Sequence, residues 1–297
     1  MSKRLMILCS GQGGQTGAMF DLARSDPRGR ALLERCGMDL NVATLFENRA
    51  AQPAIVAAAL ATWEALRDQV APPALVAGYS IGELAAWGVA GALEAGGAVS
   101  LARTRAMAMD ACVREPQALA ALGGLPVQTL AQLAANHGYE LAIVTGGDSC
   151  IAGGLLAAAA ALESGVTAAG GRFQKLPVGV ASHTGLMAGA VAPFAAALEA
   201  SRFSPQACPV LSGIAAVRVD GKQGAVDHLS RQLTQTIQWA ACMDAAAEAG
   251  IGVALELGPG AALSRMLRER HPGIEARSVS EFRSIEGVAS WVQRQLG

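Results

Sequence analysis

The chain has 297 residues, of which 52% are hydrophobic and 4% aromatic, and its formal charge at pH 7 is −1. This length allows a large core with an added subdomain, whereas the near-neutral charge and few stacking side chains exclude a typical nucleic-acid binder. The sequence has no apolar stretch long enough to span a membrane and no signal-peptide core at the N-terminus. We therefore expect a cytoplasmic protein that binds neither nucleic acid nor membrane.

Over the first 117 residues, short apolar runs alternate with longer helical patterns. The runs predict strands at 5–9 and 74–77, and the patterns predict helices at 51–70, from 82 onward and at 94–113. Pro53 lies near the predicted start of the first helix, where a missing amide hydrogen costs nothing. The alternation predicts an α/β body with a mostly parallel sheet.

The order of predicted strands and helices changes between residues 118 and 182. Strands are predicted at 118–122, 140–145, 150–152 and 172–177, with one helix opened by Pro126 and another ending at Gly165. This β-α-β-β-α-β order is the ferredoxin-like unit. We predict an inserted small subdomain at 118–182 and a large subdomain formed by 1–117 and 183–297, in which four more helices and two strands follow.

The six cysteines predict neither disulfides nor a metal site. They show no C-x-x-C pair and no metal-ligand spacing, and a chain this apolar can form a core that does not need disulfide cross-links. We expect buried thiols and no bound metal.

An arginine-rich stretch near the C-terminus is the one marked local charge feature. It contains Arg265, Arg268, Arg270, Arg277 and Arg283. Most such runs are solvated faces, although this one could receive an acidic partner.

The run GYSIG at residues 78–82 matches the pattern G-x-S-x-G, with a predicted strand before it and a helix after it. On such an elbow the glycines permit a sharp turn that raises the serine oxygen above the sheet. Ser80 is therefore a candidate nucleophile. The same letters also fit a capping box, with Ser80 as the N-cap and Glu83 as its partner.

A serine nucleophile needs a base, and the chain has four histidines. His183 follows small residues and precedes a predicted helix, which makes it the preferred candidate. The hydrolase order of Ser, acid and His leaves His228 with Asp220 or Asp227, and His271 with Glu269, formally open. His137 is the fourth histidine.

The first predicted strand is followed by a glycine-rich turn, GQGGQ at residues 11–15. A dinucleotide fingerprint would need a third glycine at position 16, which is Thr16, and an acidic residue ending a second strand. The turn therefore favours a different use, which is to offer backbone amides to an oxyanion.

On the helix at 94–113, Arg105 lies on an apolar stripe formed by Leu101, Ala108, Met109 and Cys112. A guanidinium keeps its charge and pairs well with a carboxylate. Arg105 is a candidate ligand for a substrate carboxylate, and the alternative is that it snorkels or pairs with an acid of the protein.

Together these segments resemble the malonyl-CoA:acyl-carrier-protein transacylase family. The matching segments are GQGGQ at 11–15, GYSIGE at 78–83, RAMAM at 105–109, ASH at 181–183, RQL at 231–233 and ELGPG at 256–260. The resemblance covers nearly the whole chain. It implies a hydrolase-like body with a ferredoxin-like insert.

The resemblance also implies roles for single residues. Ser80 and His183 form a catalytic dyad, and the backbone amides of Gln12 and Ile81 form the oxyanion hole. Arg105 binds the malonyl carboxylate, and the backbone carbonyl of Gln232 orients His183. The substrate is malonyl-CoA, the acceptor is a phosphopantetheine-type thiol on an acyl carrier protein, and no cofactor is bound.

Two positions depart from the family pattern: Tyr79 replaces the usual His, and Cys9-Ser10 replaces Phe-Pro. The longer phrase GYSIGELAAWGVAGAL is most similar to the epsilon subunit of malonate decarboxylase, which makes that complex's carrier the expected partner. The alternatives are a transacylase of fatty-acid or polyketide synthesis, a serine esterase or thioesterase, and a non-catalytic scaffold.

Overall fold

The computed structural model describes residues 3–37 and 44–297. The strands are β1 (Arg4–Cys9), β2 (Leu75–Gly78), β3 (Gln117–Gly123), β4 (Glu140–Val144), β5 (Ser149–Leu155), β6 (Arg172–Lys175), β7 (Val210–Leu211), β8 (Arg218–Val219), β9 (Ile251–Leu257) and β10 (Glu275–Ser278). The helices are α1 (Asp21–Ser25), α2 (Pro27–Arg35), α3 (Asn48–Leu66), α4 (Gly82–Val89), α5 (Ala95–Asp110), α6 (Val127–Asn136), α7 (Ala159–Ala168), α8 (Ala188–Ala200), α9 (Gly221–Arg231), α10 (Trp239–Glu248), α11 (Ala262–Arg270) and α12 (Ile285–Leu296).

The large sheet has the strand order β10-β9-β1-β2-β7-β8 and is parallel except for the β7/β8 pair. Side chains of β1 alternate between two cores, with Leu5 and Ile7 on one face and Met6 and Leu8 on the other. Both faces are covered, which explains why this strand is a continuous apolar run.

The small sheet is antiparallel, with the order β4-β5-β3-β6. Its helices α6 and α7 pack against it around a third core. The chain order β3-α6-β4-β5-α7-β6 is the predicted ferredoxin-like arrangement, and the predicted α/β architecture is confirmed. The exact boundaries at 117/118 and 182/183 stay a prediction.

The structure differs from the sequence prediction at the start of α3 and contains elements that were not predicted, among them β8, β10 and α12. Helix α3 begins at Asn48, so Pro53 lies inside it rather than at its start. The prediction was wrong because the amides of Ala50 and Ala51 already bond to the carbonyl of Glu47, which starts the helix earlier. Strand β10 was not predicted because it is a four-residue edge strand with two charged residues and no apolar periodicity.

All six cysteines carry free thiols, and five of them are buried. Among the helices of the described residues, none combines the length and apolar character of a membrane span. The cytoplasmic location stays a prediction.

Candidate active site

Ser80 lies between β2 and α4 with a backbone φ of 56°, in the left-handed region that non-glycine residues rarely adopt. The flanking glycines make this turn possible. A Cβ on Gly78 would lie 2.1 Å from the amide nitrogen of Glu83, and one on Gly82 would lie 2.1 Å from the carbonyl oxygen of Cys9. Strain held at such a turn is typical of functional serines.

The capping-box alternative is not formed. Ile81 is the N-cap of α4 and no side chain caps this end of the helix. Instead, the Ser80 Oγ lies 2.8 Å from the Nε2 of His183. The sequence-preferred base is thus in contact with the candidate nucleophile.

His183 lies between β6 and α8 and is buried, with a φ of 64°. Its Nδ1 lies 2.6 Å from the backbone carbonyl oxygen of Gln232, and its backbone amide donates to the carbonyl of Leu233. A carbonyl oxygen only accepts, so Nδ1 carries the proton and Nε2 is left to accept the Ser80 proton.

Burial lowers the pKa of His183 to about 3, and the nearby charge of Arg105 acts in the same direction. The imidazole is therefore neutral, as a base must be, throughout the range from pH 8 down to pH 5.

We expect the single-turnover acylation rate not to fall through a transition near pH 6.5, the ordinary pKa of a histidine, as the pH is lowered from 8 to 5. A sigmoidal loss centred there, seen also with acetyl-CoA and with the folded fraction unchanged by circular dichroism, would contradict this assignment; acetyl-CoA is included because burial also raises the pKa of Glu83 to about 7.

Of the other histidines, His228 and His271 have side-chain partners elsewhere. The Nδ1 of His228 lies 2.7 Å from the Ser212 Oγ, and the Nε2 of His271 lies 2.9 Å from the Asp244 carboxylate. His137 ends helix α6 in the small subdomain. Of the acids considered as triad members, Asp220 accepts from Gln206, Asp227 pairs with Arg231, and Glu269 lies 3.9 Å from Arg265.

Arg105 lies on α5 and is only 2% exposed. Its Nη1 donates to the Gln52 Oε1 at 2.8 Å and its Nη2 donates to the Gln232 Oε1 at 3.1 Å. Burial lowers the pKa of Arg105 to about 10 and the charge of Glu83 opposes that shift, so the side chain stays cationic near neutral pH. Within residues 3–37 and 44–297 it forms no ion pair. The snorkelling alternative is excluded because the guanidinium is buried.

The glycine-rich turn packs directly on the elbow. A Cβ on Gly11 would lie 2.7 Å from the carbonyl oxygen of Tyr79, so only glycine fits there. Among the described residues, no acceptor is found for the amide hydrogen of Gln12 or of Ile81. Ile81 directly follows Ser80 and Gln12 directly follows Gly11, so these two amides are the candidates for an oxyanion hole.

A cavity of about 860 Å³ lies between the glycine-rich turn, the small sheet and α11. Tyr79, the neighbour of Ser80, contributes to its wall, and Arg265 and Arg268 line its α11 side. The cavity is large enough for an extended thioester arm.

These groups form one chemical unit: a raised hydroxyl, a neutral imidazole held by a carbonyl, two available amides and a buried cation. Such a site on a hydrolase-like α/β body is typical of enzymes that pass an acyl group through a serine ester.

Comparison with known proteins agrees with that class. The family model of the acyl transferase domain matches residues 6–285. A malonyl CoA-acyl carrier protein transacylase of Mycobacterium bovis is 30% identical over 302 residues, which cover 96% of this chain and 99% of that protein. The chain belongs to the acyl transferase domain family and is an acyltransferase.

Two solved structures share the fold. The malonyl CoA-acyl carrier protein transacylase of Coxiella burnetii gives a TM-score of 0.93 at 22% identity and covers 100% of this chain and 99% of its own. A malonyl-transacylase solved in complex with a type II polyketide acyl-carrier protein gives a TM-score of 0.91 at 24% identity, covering 97% and 99%.

Sequence reasoning missed two polar residues that the structure brings to the site, Glu83 and Gln52. Glu83 was considered only as a capping partner, yet it starts the apolar run LAAW and is 1% exposed. Gln52 lies in an Ala-rich helix and is fully buried. A polar residue within an otherwise apolar helix was the available signal, because buried polar groups need partners.

Proposed function

We propose that this acyltransferase is a malonyl-CoA:acyl-carrier-protein transacylase of the fatty-acid or polyketide type. The observation that carries the proposal is the 2.8 Å contact between Ser80 and His183 beside the buried cation of Arg105. The names of the relatives described above support the same substrate and acceptor.

In the first half-reaction, the Ser80 Oγ attacks the thioester carbonyl of malonyl-CoA while His183 Nε2 takes its proton. The amides of Gln12 and Ile81 stabilise the oxyanion. The C–S bond breaks, the coenzyme A thiolate leaves with the proton from His183, and a malonyl-serine ester remains.

In the second half-reaction, the phosphopantetheine thiol of the carrier gives its proton to His183 and attacks the ester. The Ser80 oxygen leaves and recovers the proton, and malonyl is now a thioester of the carrier. Throughout both steps, the Gln232 carbonyl keeps Nδ1 protonated, and Arg105 holds the carboxylate at the far end of the acyl group.

The malonate decarboxylase epsilon subunit, which the sequence analysis favoured, becomes the second candidate. It is supported by Tyr79 and the phrase around it, whereas the relatives described above are malonyl-CoA transacylases without that association. The two candidates differ only in the carrier, because the chemistry at Ser80 is the same in both.

The test is intact-mass measurement after incubation with malonyl-CoA. We expect the wild-type protein to gain the mass of one malonyl group and Ser80→Ala to gain none. A wild-type protein that stays unloaded, or equal loading of both proteins, would contradict the transacylase proposal. Rapid loss of the added group to water without a carrier would favour a thioesterase.

The malonyl-loaded protein is then offered a fatty-acid carrier and a malonate decarboxylase carrier side by side. We expect faster transfer to the fatty-acid carrier. Faster transfer to the decarboxylase carrier would establish the second candidate. Replacing Arg265 and Arg268 together with alanine should slow transfer to the carrier more than self-loading. Coenzyme A and the carrier share the same kind of arm, but only the carrier adds a protein surface, which these two arginines at the cavity wall can bind if it is acidic.

A further inference from the structure

Glu83 lies three residues after Ser80, in the first turn of α4, and it is buried, with only 1% of its surface exposed. The Oε2 atom accepts two hydrogen bonds, one from the Gly213 amide at 3.0 Å and one from the Gln232 Nε2 at 2.6 Å. The dyad does not use this carboxylate directly, because His183 is held by a backbone carbonyl.

Gln232 joins three parts of the site. Its Nε2 donates to Glu83, its Oε1 accepts from Arg105, and its backbone oxygen accepts from His183. The side-chain amide has only one orientation compatible with both neighbours. If it were turned over, its NH₂ would face the guanidinium, donor against donor, and its oxygen would face the carboxylate, acceptor against acceptor.

Charge links the same residues through space. Burial raises the pKa of Glu83 to about 7, and Arg105 opposes that rise. Glu83 in turn opposes the lowering of the Arg105 pKa. Because the neutral amide of Gln232 separates the two charges, Arg105 is not tied up in a direct ion pair with Glu83 and its charge can act on a substrate carboxylate.

We propose that Glu83 is a positioning residue for acyl-group selectivity: it fixes the Gln232 amide so that Gln232 and Gln52 together aim the Arg105 guanidinium at the malonyl carboxylate. The inference rests on the proposed function. It predicts that losing the acceptor at position 83 harms transfer of a carboxylated acyl group more than transfer of an uncharged one.

Glu83→Ala removes the acceptor, whereas Glu83→Gln keeps an oxygen that can accept from both Gly213 and Gln232. Single-turnover acylation rates with malonyl-CoA and with acetyl-CoA are measured for each protein. We expect Glu83→Ala to lower the malonyl-to-acetyl rate ratio by about 10-fold or more, the range of a lost hydrogen bond to a charged group. Glu83→Gln should keep the ratio within about 3-fold of the wild type.

Gln232→Leu removes the side-chain amide that connects Glu83 to Arg105, and it provides the test if Glu83→Ala does not fold. It retains the backbone carbonyl that holds His183, so it should lower the ratio as Glu83→Ala does. The double variant that combines Glu83→Ala with Gln232→Leu should lower the malonyl-to-acetyl rate ratio no further, because both changes break the same set of hydrogen bonds.

Glu256→Gln is the matched control, since Glu256 is also a 1% exposed carboxylate that accepts backbone amides, those of Leu263 and Ser264. We expect it to keep the malonyl-to-acetyl ratio. Equal losses for both acyl groups in Glu83→Ala, or a Glu83→Gln ratio as low as that of Glu83→Ala, would overturn the inference. A wild-type protein that malonyl-CoA does not load would instead overturn the proposed function.

Discussion

Replacing His183 with alanine will lower the rate of Ser80 acylation by malonyl-CoA about 10²- to 10⁴-fold, the usual contribution of a positioned base. The physical reason is that a serine hydroxyl is a weak nucleophile at its own pKa. In this protein the only imidazole within hydrogen-bond reach of Ser80, among the described residues, is that of His183. Rapid-quench sampling followed by intact mass gives the acylation rate directly.

His228→Ala is the control for this experiment. His228 lies in a second serine–histidine contact, with Ser212 at 2.7 Å, but its Nδ1 is the atom engaged, and neither side chain of this pair bonds to Ser80 or His183. We expect near-wild-type acylation from this variant. If His183→Ala acylates at the wild-type rate and His228→Ala does not, the assignment of the base is wrong.

Replacing Arg105 with alanine will lower the acylation rate with malonyl-CoA roughly 10- to 150-fold relative to that with acetyl-CoA, as expected when a charge-assisted hydrogen bond worth about 1.5 to 3 kcal/mol is lost. Arg105 is buried and its two protein partners, Gln52 and Gln232, are neutral amides. Its positive charge is therefore available to a carboxylate that enters the site.

The malonyl and acetyl rates must be compared within one variant, since truncating a buried side chain also lowers stability. Arg28→Ala is the control for loss of an arginine, because Arg28 pairs with Asp68 and with the carbonyl of Ala65, away from the site. We expect it to leave the ratio unchanged. If Arg105→Ala slows both acyl groups equally, Arg105 supports the structure and does not select the acyl group.

The strand–turn–helix pattern at GYSIG predicted where Ser80 would lie, because the glycines and the flanking elements are local features. His183 was less certain from sequence. The chain has four histidines, and the local sequence around each one does not decide which of them lies near Ser80 in the folded protein. The contact spans 103 positions along the chain and depends on how the segment between β6 and α8 returns to the large sheet.

The side-chain role of Gln232 and the part played by Glu83 were beyond sequence reasoning for the same reason. In the local sequence, Glu83 matches the glutamate position of a capping box that starts at Ser80, and nothing in that pattern distinguishes it from an ordinary helix-capping glutamate. Only the folded chain brings α4, α5 and the end of α9 together, and only then do the donors and acceptors of Glu83, Gln232 and Arg105 face one another.

The sequence by itself determined the α/β alternation, the inserted subdomain, the elbow at Ser80 and the resemblance to the acyl transferase class. These follow from short-range signals: apolar periodicity, glycine placement and motifs a few residues long. The tertiary structure decided which histidine reaches the serine, what surrounds the arginine and which buried carboxylate belongs to the site. Those outcomes depend on long-range packing, in which residues far apart in the chain must satisfy one another's hydrogen bonds and charges away from water.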